Sequence, residues 1–91
     1  MAEVRKEFEI INRLGLHARA SAELVKVTNR FDSRVTISKG SMTVDGKSIL
    51  GIMSLAAGIG TEIVVHCEGS DCKEALTAIG DLIHNYFGEG E

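Results

Sequence analysis

A chain of 91 residues with 44% hydrophobic and 25% charged side chains has the balance of an ordinary soluble globular domain, which excludes a disordered or fibrous protein. The net charge of -3 argues against a nucleic-acid partner, because that affinity comes from Lys and Arg neutralising phosphates. Residues Met1 to Lys6 hold no apolar core of signal-peptide length, and no apolar run is long enough to span a bilayer. A cytoplasmic chain with no direct membrane insertion is therefore expected.

In chain order, Lys6 to Ile11 alternates, with Phe8 and Ile10 on one face and Glu7 and Glu9 on the other, and predicts a first strand with one wet side. Asn12 to Leu16 has no period and contains Gly15, so it reads as a loop. A helix is predicted from Ala18 to about Arg30, with Ala20, Leu24, Val27 and Phe31 as its apolar stripe. Arg34 to Ser38 alternates again, Lys39 to Ser41 turns, and Met42 with Val44 returns as a hairpin strand.

Ser48 to Ala57 carries Ile49, Ile52, Met53 and Ala56 at helical intervals, and Gly58 and Gly60 are expected to end that helix. Glu62 to Glu68 predicts a fourth strand with Ile63, Val65 and Cys67 on its inner face. In the last helix Ser70 or Asp71 is the expected cap, and Leu76, Ile79, Ile83 and Tyr86 form the expected buried stripe. This order predicts an α+β fold, an open-faced β-sandwich with a four-stranded antiparallel sheet and three helices on one face. Residues 1–91 form one domain, with 1–5 and 88–91 expected to be loose. The spacing of Cys67 and Cys72 matches neither a redox nor a zinc pattern, so both read as structural thiols. His66 and His84 lack a second ligand at metal spacing, and neither a metal nor a cofactor is expected.

The chemistry concentrates in Gly15-Leu16-His17-Ala18-Arg19, where a histidine stands at the mouth of a helix. The first N–H groups of a helix lack partners within it and, with the helix dipole, favour anions. A neutral imidazole is a nucleophile, and a phosphoryl group on its ring would bring about two negative charges. The amides of Ala18 and Arg19 and the Arg19 guanidinium could hold those charges, and their positive field should disfavour a proton on the ring. From these residue types alone, an incidental loop histidine is an equally good reading.

A second motif alters that balance. Gly15-Leu16-His17-Ala18-Arg19 resembles the phosphorylation-site signature of the HPr family, and Gly46-Lys47-Ser48-Ile49-Leu50-Gly51-Ile52-Met53-Ser54-Leu55 resembles its second signature at a matching separation. The resemblance runs from about Phe8 to Phe87. It implies a stoichiometric phosphocarrier of the phosphoenolpyruvate-dependent phosphotransferase system rather than an enzyme proper. His17 would accept phosphate through Nδ1 from Enzyme I and pass it to an Enzyme IIA in sugar uptake, with Arg19 as the phosphate partner.

The resemblance further implies that Ile49, Leu50 and Met53 form the apolar docking patch, while Ile52 is expected to face inward. Ser48 matches the serine that an HPr kinase/phosphorylase modifies in part of the family, and it also suits a helix cap. One departure is Ala20, which stands where the family usually has proline. Alanine supports the helix and adds an N–H to its first turn. Two other functions fit the same residues: a carrier in a regulatory nitrogen- or carbon-control branch, and an effector whose Ser48-phosphorylated form binds a transcription regulator. A ligand-binding α+β domain of similar topology is a further alternative. A carrier that must show one face to successive partners is expected to be a monomer.

Overall fold

A computed structural model describes residues 2–91. Four strands, β1 (Glu3–Glu9), β2 (Arg34–Lys39), β3 (Met42–Asp45) and β4 (Glu62–Glu68), form one sheet in the order β1-β4-β2-β3, with every neighbouring pair antiparallel. The helices are α1 (Ala18–Thr28), α2 (Ile49–Ser54) and α3 (Cys72–His84), and a single 3-10 turn, η1, covers Tyr86–Gly88. Apolar residues alternating along the strands account for the core: Ile63, Val65 and Cys67 of β4 are fully buried, as are Val35 and Ile37 of β2. These meet Leu24 from α1, Ile52 from α2 and Ile79 and Ile83 from α3 in one cluster. The fold is the expected open-faced sandwich.

Five local expectations are corrected. The first strand starts at Glu3, not Lys6, and pairs through Glu3 opposite Glu68, so residues 3–5 are not loose. Lys6 hides this start because it falls in the inward phase with Val4 and Phe8, where its ammonium lies 5.4 Å from the centre of the Phe8 ring. Helix α2 stops at Ser54, and the exit to left-handed backbone is made by Ala56 at φ 50 rather than by a glycine. The Lys39 ammonium donates to the carbonyls of Leu55 and Ala56, satisfying groups that the short helix leaves open.

At the start of α3, Asp71 occupies the cap position without capping. Its carboxylate instead accepts from the backbone N–H groups of Asp32 and Ser33, both at 2.9 Å, and from the Ser33 hydroxyl. Asp71 thus fastens the α1–β2 loop to α3. At the other end, Tyr86 is exposed and Phe87 is buried in its place, because both residues take left-handed backbone at φ 55 and 53. That turn sends the following residues back across the molecule, so 88–91 are docked rather than loose: the Arg13 N–H donates to the Glu91 carbonyl at 3.1 Å. Cys67 and Cys72 are both free and buried, and burial together with Cys72 and Asp71 pushes the Cys67 thiol up to about 11.

Gly15 joins the loop before α1 to the exit of α2. It sits at φ 67, and a Cβ there would stand 2.5 Å from the Ala57 carbonyl oxygen. The neighbouring Leu16 N–H donates to that same oxygen at 2.8 Å. Gly15→Ala should therefore lower stability by about 2–3 kcal/mol in urea unfolding, through backbone strain and the clash together. Unchanged stability would contradict this packing.

The Ser33 hydroxyl first, and then the Asp32 backbone N–H, hold the Asp71 carboxyl below its ordinary range. A carboxylate with a depressed folded-state pKa stabilises fully above its unfolded pKa and loses that contribution as pH falls through the folded value. Acidification should accordingly destabilise Asp71→Asn less steeply than the native chain. Superimposable stability curves against pH would contradict the tether.

Candidate functional site

The site begins with the loop that delivers the chain into α1. Asn12 starts a tight turn, accepting from the Gly15 N–H on its carbonyl at 3.1 Å and donating from its side-chain amide to the Gly15 carbonyl at 2.9 Å. Leu16 is buried, so the next residue is carried out to the helix mouth. His17 is the N-cap of α1, with extended backbone at φ -75 and ψ -177. Its carbonyl accepts from the Ser21 N–H at 2.9 Å, and the Ser21 hydroxyl turns back to the Leu16 carbonyl at 3.1 Å. The imidazole is thereby held at the start of an eleven-residue helix.

Sequence reasoning left the helix mouth open. In the structure the ring itself caps it: His17 Nδ1 accepts from the Arg19 backbone N–H at 3.3 Å, a long and weak bond. An acceptor must present a lone pair, so this contact requires an unprotonated Nδ1. The Ala18 and Ala20 amides share the first turn, where a helix has no carbonyls of its own to offer them. Ala20 is buried within that turn and, unlike a proline, contributes an N–H. Arg19 is exposed on the same turn. The ring keeps 29% of its side-chain surface open to water.

Sequence reasoning did not find the groups on the other side of the ring. Glu89, brought back by the left-handed turn at Tyr86 and Phe87, sets one carboxylate oxygen 2.5 Å from His17 Nε2. Its other oxygen accepts from the Asn12 side-chain amide at 2.9 Å. Only 9% of the Glu89 side chain remains exposed. Burial raises its carboxyl pKa, but the bonds from Asn12 and His17 and the charge of Arg19 outweigh this and hold it below the usual range. An ionised carboxylate can only accept, so the proton in the contact belongs to Nε2. Both ring contacts select the same tautomer, with a proton on Nε2 and a lone pair on Nδ1.

Arg13, Leu14, His17, Arg19, Glu89 and Glu91 line a shallow cleft of about 220 Å³. Leu14 also borders a second depression with Leu16, His17, Ala56, Ala57 and Gly58, which leads from the ring to the exit of α2. On α2, Ile52 is fully buried, whereas Leu50 is 79% exposed and Ile49 and Met53 are partly so. The Ser48 hydroxyl caps this helix by accepting from the Gly51 N–H at 3.0 Å. Leu14 and Ile59 are also largely exposed, at 67% and 62%, and neither was singled out from the sequence. Nothing in the period of a loop marks such residues as surface or core.

The arrangement suits a nucleophile that must hold a dianion. It offers an imidazole lone pair, the amides of a helix start, and the Arg19 guanidinium two residues on. The family model described as "PTS HPr component phosphorylation site" matches residues 4–85. The chain is 49% identical over 88 residues to the phosphocarrier protein HPr of Neisseria meningitidis, covering 97% of this chain and 99% of that protein. It is 50% identical over 86 residues to that of Pseudomonas aeruginosa, covering 93% and 96%. Its fold superposes on the crystal structure of an HPr from Thermoanaerobacter tengcongensis with a TM-score of 0.89, at 43% identity and 98% coverage of both chains. With the phosphorylation-site motif, the open-faced sandwich and the relatives all in agreement, this chain belongs to the HPr family of phosphotransferase-system phosphocarriers.

Proposed function

We propose that this chain takes a phosphoryl group onto His17 Nδ1 from Enzyme I and delivers it to a histidine of an Enzyme IIA in cytoplasmic sugar uptake. The observation that carries this reading is the Nδ1 lone pair at the start of α1, already within reach of the Arg19 amide. In the transfer the lone pair attacks phosphorus and the bond to the donor breaks, its electron pair returning to the donor. The new phosphoryl oxygens then take over the helix amides of Ala18, Arg19 and Ala20, with the Arg19 guanidinium as counter-charge. No acid or base has to be imported, which suits a stoichiometric carrier.

Docking is assigned to the apolar surface of α2 formed by Ile49, Leu50 and Met53. Flexible aliphatic and Met side chains can repack against successive partners, and the exposure of Leu50 supports this use. A monomer keeps that face free. Ser48 is assigned a regulatory role: a phosphate there would be tolerated by the α2 start and would place about two negative charges against the docking surface. HPr kinase/phosphorylase is the modifying partner this reading implies, and a transcription regulator is a candidate reader of the modified form.

Incubation with Enzyme I and phosphoenolpyruvate should label the native chain and Ser48→Ala, and should leave His17→Ala unlabelled. Labelling of His17→Ala would overturn the assignment. Leu50→Asp should leave unfolding unchanged and raise the KM for Enzyme I roughly tenfold, the loss of about 1–2 kcal/mol typical of an interface anchor. An unchanged KM would remove Leu50 from the docking surface.

A further inference from the structure

We infer that Glu89, held by Asn12, is a positioning residue for phosphoryl transfer: it keeps the Nε2 proton on the His17 ring, so that Nδ1 alone makes and breaks the bond to phosphorus. This inference rests on the reading that His17 accepts the phosphoryl group, and it deepens that reading.

Three observations support it. The Glu89 carboxylate meets Nε2 at 2.5 Å while Nδ1 faces the helix amide, so the two ring nitrogens are already divided between roles. Asn12 is fully buried, and its side-chain amide donates to both the Gly15 carbonyl and Glu89. Its side-chain oxygen has no partner among the described residues. The left-handed residues Tyr86 and Phe87, with Phe87 buried, anchor the segment that carries the carboxylate.

The consequence follows from charge. When the Nδ1 lone pair forms its bond to phosphorus, the Nε2 proton stays in place and the ring acquires a positive charge. In the outward step the Nδ1–phosphorus bond breaks and its electron pair returns to Nδ1, leaving a neutral ring with the same Nε2 proton. A ring that lost that proton would depart as an anion, which is a poorer leaving group. The carboxylate of Glu89 offsets the transient ring charge. Arg19 on α1, Arg13 in the preceding loop and Glu91 in the closing segment also face the cleft; the two guanidiniums oppose the ring charge and Glu91 is paired with Arg13. Glu89 is the only carboxylate among the described residues in direct contact with the His17 ring.

The test is a phosphorus NMR titration of the chain phosphorylated by Enzyme I, for native protein, Glu89→Ala and Glu89→Gln. Both variants should still become phosphorylated. In each, the phosphohistidine should lose its ring proton at lower pH than in the native chain. Onward transfer to an Enzyme IIA should then fall about tenfold below native on the alkaline side, since an adjacent opposite charge commonly holds a proton to that extent. Glu89→Asp should restore part of the difference. Superimposable titrations in all chains would overturn the inference, as would a change in Glu89→Ala that Glu89→Gln does not share, which would show packing rather than charge at work. A native chain that takes up no label on His17 would instead refute the underlying assignment.

Discussion

One constraint organises the molecule: an α-helix begins with N–H groups that it cannot satisfy, and here the residue placed to cap them is an imidazole. Serine or aspartate would fill that position more tightly and end the matter. A histidine ring fills it with a 3.3 Å contact from Arg19, weak enough to be exchanged for a stronger acceptor. A phosphoryl group is such an acceptor, and it would arrive attached to the atom that the amide already faces. In the proposed transfer, cap and nucleophile are the same lone pair.

The rest of the fold serves to keep that helix start fixed and accessible. Gly15 allows the approach loop to lie against Ala57 without a side chain between them, which sets the height of α1 relative to α2. The sheet buries one face under all three helices, and a depression leads from the His17 ring to Ala56, Ala57 and Gly58 just beyond α2. Ile52 holds α2 down from within, so that Leu50 can remain exposed on a helix of only six residues. Asp71 performs a comparable service at the opposite end of α1 by tying the loop at Asp32 and Ser33 to α3.

Much of this was legible in the sequence because it is local. The alternation of Ile63, Val65 and Cys67 placed β4 correctly at both ends, and Gly15-Leu16-His17-Ala18-Arg19 located the ring at a helix start. The inward Ile52 followed from the amphipathic spacing of α2, and the capping Ser48 from its residue type. The errors arose where a long-range contact overrides a local pattern. Lys6 broke the alternation of β1 while covering Phe8, and Ala56 took a backbone conformation usually left to glycine so that Ala57 could meet Leu16. Glu89 lies 72 residues from His17 in sequence, in a segment that reads as solvated glycine and glutamate. No periodicity carries that information; it depends on the buried Phe87 and on the side chain of Asn12.

These contacts divide the ring's two nitrogens between Glu89 and the Arg19 amide, and the proposed transfer requires that Nδ1 alone bond phosphorus. Heteronuclear NMR of the phosphorylated chain, with the imidazole nitrogens labelled, measures it directly. Coupling between phosphorus and Nδ1 of His17, with a proton on Nε2, is the predicted result. Phosphorus on Nε2, or on another residue, would contradict it.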